Sequence, residues 1–94
     1  MGAVTFQYDI VLEMADMELE NYEPETRTVD LWKEICDEAL RKLRLFIHYC
    51  PDEWEKIQSD YHGLDKEHKV GWLVLIESVA IHIYVWYNEL GYLM

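Results

Sequence analysis

The chain predicts an all-α fold, a small bundle of three to four helices in one domain spanning residues 1–94. Three observations carry this. Apolar residues recur at helical spacing through residues 29–49, Pro51 and Asp65 mark fresh helix starts, and no Gly, Asn or Pro interrupts the apolar run from Trp72 to Tyr87. A chain of 94 residues buries roughly 60–65% of the surface its unfolded form exposes, enough for a single core. Apolar residues make up 51% of it, with four Trp, seven Tyr and two Phe, which separates it from a disordered acidic tail.

The clearest element runs from Val29 to Tyr49, where Trp32, Ile35, Cys36, Ala39, Leu43, Phe46 and Cys50 form one stripe. Thr28 can cap its N-terminus. Asp30 and Glu34 come early and Arg41, Lys42 and Arg44 late, as the helix dipole favours. Lys33 with Asp37, Asp37 with Arg41, and Glu38 with Lys42 stand at i, i+4, so this helix neutralises much of its own charge. Pro51 ends it and starts a short helix to about Tyr61, with Trp54, Ile57 and Tyr61 inward and Gly63 in the left-handed position past its end. Asp65 then caps a long helix over residues 66–89. On it, Trp72, Ile76, Val79, Ala80, Ile83, Tyr87 and Leu90 share the expected core face, and Val70, Val74, Ile81 and Val85 form a second apolar strip. Trp32, Phe46, Trp72, Ile76 and Ile83 are the expected buried anchors.

The N-terminal segment carries two patterns. Phe6, Tyr8, Ile10, Leu12 and Met14 alternate with polar residues as a strand would, and a strand at residues 4–13 paired with residues 80–87 gives the α+β alternative. Read as a helix from Thr5 to Tyr22, the same stretch aligns Asp9, Glu13, Asp16 and Glu20 within a ~60° arc at 100° per residue. Helix is preferred, because Glu, Met, Leu and Ala dominate the second half and a lone strand has no obvious partner. Residues 21–28 form a polar loop around Pro24.

Several chemistries find no support. Cys36 and Cys50 lie fourteen residues apart on one helix, a span of about 21 Å at a rise of ~1.5 Å per residue, which excludes a disulfide between them while that helix is intact. Residues 70–87 are apolar enough to raise a membrane span, but Glu77 and His82 interrupt them and no Lys or Arg anchors residues 70–94, so a central core helix and no membrane partner is the expectation. His48, Cys50, Asp52, His62 and His68 match no metal-ligand spacing, so no metal site is expected. His82, one turn from Ser78, is expected half-buried or in a subunit contact. Neither Ser59 nor Ser78 stands in a nucleophile elbow, and the glycines at 2, 63, 71 and 91 are too scattered to cradle phosphate. The chain is therefore read as not an enzyme and without cofactors. Its net charge of −11 disfavours direct nucleic-acid binding.

That charge is unevenly placed. Asp9, Glu13, Asp16, Glu18, Glu20, Glu23 and Glu25 all fall in the first 26 residues, which contain no Lys or Arg. A face selected only for solubility would mix signs. The seven carboxylates are thus the expected partner-binding residues of a small acidic inhibitor, aimed at a basic, nucleic-acid-binding surface of a target protein. By charge and size this is analogous to DNA mimics and phage-made anti-CRISPR proteins. The rival expectation is a helical oligomerisation or adaptor module, with Val74, Ile81 and Val85 as the interface of a homodimer. The N-terminus shows no signal-peptide pattern, so a reducing cytoplasm is expected, that of the host cell if the chain is phage-encoded.

Overall fold

The structure is a computed structural model that describes the backbone of residues 2–90 and the side chains of residues 6–86. It is all-α, with helices α1 (Gly2–Leu19), α2 (Val29–Tyr49), α3 (Pro51–Asp60) and α4 (Lys66–Leu90), and no strand among the described residues. One-turn 3-10 helices occupy Pro24–Thr26 and Tyr61–Gly63. By its contacts the chain divides into two compact units, Met1–Arg41 and Lys42–Met94, with α2 running through the boundary.

In the first unit, the alternating pattern of residues 6–14 resolves as helix. Phe6, Ile10 and Met14, spaced i, i+4, i+8, are buried together with Val11 and Ala15, whereas Tyr8 and Leu12 are exposed. A strand would have placed all five alternating apolar residues on one face. The helix stops at Leu19, three residues short of the expected Tyr22. The amides of Glu20, Asn21 and Tyr22 bond three residues back, to Met17, Glu18 and Leu19 carbonyls at 3.3, 3.1 and 3.0 Å, which tightens the chain out of the α-helix. Thr28 caps α2 as expected, its Oγ1 accepting the Leu31 amide at 3.1 Å. Thr28→Ala is expected to lower stability by about 1 kcal/mol, measured as a shift in denaturation midpoint at unchanged slope.

Trp32 corrects an expectation. It lies at the centre of the α2 stripe by spacing, yet it is 39% exposed, while Ile35 and Ala39 further along are buried. The reason is the early end of α1. No further helical turn is left to cover the first turn of α2, and only Leu19 reaches the hollow that Trp32 lines with Arg27, Thr28 and Val29.

In the second unit, Leu43 and Phe46 of α2, Trp54 and Ile57 of α3, Tyr61, and Leu73, Ile76 and Ala80 of α4 are buried. A single residue, Cys50, separates α2 from α3. Its amide still donates to the Phe46 carbonyl at 2.7 Å and its carbonyl accepts the Trp54 amide at 3.0 Å, so the proline that follows breaks the axis while few backbone groups lose a partner. Gly63 does not take the left-handed conformation expected of it. The chain leaves α3 by a 3-10 turn in which the Leu64 amide donates to the Tyr61 carbonyl at 3.1 Å, so no positive φ is required. The Lys69 ammonium sits 5.2 Å from the centre of the buried Tyr61 ring.

Asp65 caps α4 as expected. Its Oδ1 accepts the His68 amide at 2.9 Å and lies 2.7 Å from His68 Nδ1. The backbone hydrogen bond, then the side-chain one, hold the Asp65 carboxyl below its ordinary 3.8. A carboxyl depressed on folding contributes stability that is present above its unfolded value and lost as pH falls through the folded one. The first turn of α4 is therefore expected to loosen below about pH 4, read as faster amide exchange at His68 and Lys69, and Asp65→Asn should shift that transition.

The ion pairs differ from the sequence pairing. Arg41 rather than Lys42 meets Glu38, at 3.4 Å, and Lys42 instead reaches Glu77 on α4 at 3.9 Å, where both side chains are largely covered. Glu77, which read as an interruption of an apolar run, thus has a cation inside its own unit.

The core face of α4 is also rotated from its expected position. Leu73, Ile76 and Ala80 are buried, whereas Trp72, Val79 and Ile83 are only half-buried. The centre of burial moves by about 50° at 100° per residue. Tyr87 and Leu90 lie outside the described side chains. Within Lys66–Trp86, α4 is long and apolar enough to cross a membrane by length and composition, with an 18-residue window of mean hydropathy 1.4 of which 17% is buried. It is not a central core helix enclosed on all sides.

Candidate functional site

The first unit presents one chemically distinctive surface. At 100° per residue the buried residues of α1 fill one half of its circumference and Asp9, Glu13 and Asp16 fall on the opposite half. Asp9 and Asp16 are exposed, and Glu13, nearest the buried edge, is half-buried. Glu20 is exposed in the turn after α1 rather than on the helix itself. Glu18 lies toward the buried side, half-buried, and accepts a bond from Asn21 Nδ2 at 3.5 Å. The structure thus places Asp9 and Asp16 on one exposed flank of α1, leaves Glu20 exposed in the turn that follows, and sets Glu18 apart.

The acidic surface continues into the connection. Every residue from Glu20 to Asp30 is exposed, including Glu23 and Glu25. This segment holds itself by short-range bonds. Thr26 Oγ1 donates to the Glu23 carbonyl at 2.7 Å and Arg27 Nε donates to the Tyr22 carbonyl at 3.0 Å. The first cation in the chain is therefore engaged with backbone. The ion pairs of Arg41 with Glu38, Lys42 with Glu77 and His68 with Asp65 involve none of Asp9, Asp16, Glu20, Glu23 and Glu25.

Apolar groups stand among these charges. Tyr8 is 59% and Leu12 44% exposed beside the α1 carboxylates, and Tyr22, Val29 and Trp32 are exposed along the connection and the start of α2. Exposed aromatic side chains next to charge are the composition of protein-binding hot spots. The sequence suggests nearby tyrosines as surface anchors, but it does not single out Leu12 or Val29 and it places Trp32 in the core. For Tyr8 and Leu12 the signal was present: both fall outside the i, i+4 series that begins at Phe6.

Asp16 lies close enough to α2 for its charge to be felt at Cys36. Burial first, then Asp37 and Asp16, raise the Cys36 thiol above its ordinary 9.0, and burial, then Glu53, raises that of Cys50. Both cysteines are free. A thiol with a raised pKa stays protonated at neutral pH and makes a poor nucleophile or metal ligand. Among the described residues no group of His, Cys, Asp and Glu is arranged to hold a metal ion. His82, expected half-buried, is exposed next to Ser78 on α4. Val74, Ile81 and Val85 are exposed as well, each by about half of its surface.

Comparison with protein families, curated proteins and solved structures gives no match.

Proposed function

We propose that the N-terminal surface binds a basic protein and occupies a site that otherwise holds nucleic acid, making the chain an acidic inhibitor of the DNA-mimic, anti-CRISPR-like kind, active without catalysis or cofactor. The observation that carries the reading is the set of exposed carboxylates Asp9, Asp16, Glu20, Glu23 and Glu25, with exposed Tyr8, Leu12 and Tyr22 among them. Carboxylates steer a basic partner and fix register, while the aromatic and aliphatic groups supply desolvated anchors. Helix α1 alone spaces its aligned carboxylates more sparsely than the ~3.4 Å of a DNA strand. Glu20, Glu23 and Glu25 of the connection raise the density.

The experiment uses the immobilised protein to capture basic nucleic-acid-binding proteins from lysate, followed by elution with duplex DNA. The expected result is a partner that DNA displaces and that Asp9→Lys/Asp16→Lys/Glu20→Lys fails to capture. A partner retained equally by the reversed variant at low salt would sink the reading.

A second reading, an oligomerisation or adaptor module, is favoured by the exposed apolar face of α4.

A further inference from the structure

We infer that the hollow where α1 gives way to α2 is a socket for one aromatic side chain, carried on a basic segment of the partner protein. The inference rests on the reading of the N-terminal surface as a protein-binding face and names the chemistry of what docks there. The hollow lies wholly within the first unit and is lined by Leu19, Arg27, Thr28, Val29 and Trp32, with a volume of about 240 Å³. It exists because α1 ends at Leu19 and leaves the first turn of α2 uncovered.

Size and walls select the occupant. The volume falls below the ~300–1,000 Å³ of small-molecule sites, and it suits a single large side chain. Trp32 offers an indole to an incoming ring, and the Arg27 guanidinium is held at the wall because its Nε donates to the Tyr22 carbonyl at 3.0 Å. An aromatic ring can contact both, by ring packing on the indole and by attraction to the cation. The walls are also fixed in advance. Thr28 Oγ1 accepts the Leu31 amide and Thr26 Oγ1 donates to the Glu23 carbonyl, so little of the connection remains to be ordered on binding.

Charge selects the segment that carries the ring. From residue 20 to residue 30 the chain bears Glu20, Glu23, Glu25 and Asp30, all exposed, against Arg27 alone. Lysines and arginines flanking the ring are therefore attracted, whereas a second copy of this chain would bring the same carboxylates against themselves. A nucleobase could fill a space of this size, but its phosphates would be repelled by the same four side chains. Trp and Arg are the residue types enriched among the few positions that dominate binding energy, and here they line one hollow beside the acidic surface.

The test titrates the whole chain, by nuclear magnetic resonance, with a short Lys/Arg-rich peptide carrying one central phenylalanine, and with the same peptide carrying alanine or leucine there. Expected are binding of the phenylalanine peptide about tenfold tighter than that of the alanine peptide, and a shift of the Trp32 indole resonance that the alanine peptide does not produce. Raising salt should weaken both peptides and preserve their ratio, because burial of the ring is not screened. Trp32→Ala should remove the advantage of phenylalanine and leave the affinity of the alanine peptide unchanged. Val29→Ser, at a position 69% exposed, should reduce the same advantage and serves where Trp32→Ala disturbs α2. Equal affinity for the phenylalanine and alanine peptides, with the Trp32 indole unmoved, overturns the socket and leaves the acidic surface standing. A leucine peptide that binds as tightly as the phenylalanine one overturns the aromatic assignment. Failure of every peptide to bind at low salt overturns the reading of the acidic surface and the socket with it.

Discussion

Ile76→Ala is expected to destabilise the protein by about 2–5 kcal/mol, the largest effect of any single substitution on α4. Ile76 is fully buried, and Phe46, Leu43 and Ile57 of the same unit are fully buried too. Removing three heavy atoms from such a site loses their transfer energy and leaves a cavity whose walls relax only in part. Against a typical total of roughly 5–15 kcal/mol, that loss is large. It should lower the melting temperature by about 10 °C or more, since 1 kcal/mol corresponds to ~4–8 °C in a domain of this size. Two neighbours on the same helix calibrate it. Ile83→Ala, at a half-buried site, should cost less, and Ile81→Ala, measured at dilution, should fall near the ±0.5 kcal/mol of surface substitutions. An equal loss at Ile76 and Ile81 would show that the core face of α4 is not the one formed by Leu73, Ile76 and Ala80.

Reversing Asp9, Asp16 and Glu20 to Lys should slow association with a basic partner by about tenfold or more at low salt while leaving the helical circular dichroism unchanged. Each reversal adds two charge units, so the net charge moves from −11 to −5. All three side chains are exposed, and none takes part in an ion pair among the described residues, so no packing is lost. Glu13 is left in place because it is half-buried. An exposed contact is individually worth about 1 kcal/mol or less. The effect of the set is therefore expected in encounter rate and salt dependence, and it should fade as ionic strength rises. Reversal of Glu55, Asp60 and Glu67, also exposed and in the second unit, changes net charge by the same amount and serves as the control. If both triple variants lose equal affinity, net charge rather than the N-terminal surface governs binding.

The local elements were legible in the sequence because their signals are local. Thr28 and Asp65 announce helix starts by offering an oxygen to an amide three residues on, and both do so. Pro51 lacks the amide that would continue α2, and α3 begins there. The stripe Ile35, Ala39, Leu43 and Phe46 is buried as its spacing predicts, because the opposite face of α2 is charged and leaves only one orientation. The charge asymmetry, too, is a property of the sequence. Tertiary structure decided what periodicity leaves open. On α4, apolar side chains surround the axis, so hydrophobicity cannot choose a face; packing placed Leu73, Ile76 and Ala80 inside and set Glu77 against Lys42. On α1, both a two-residue and a 3.6-residue repeat fit residues 6–14, and burial of Val11 and Ala15 beside Phe6, Ile10 and Met14 resolved them as helix. Trp32 lies at the surface because the helix that would have covered it ends at Leu19. Spacing along a chain fixes which side chains share a face, but burial depends on what other segments arrive there, and that is a property of the folded molecule.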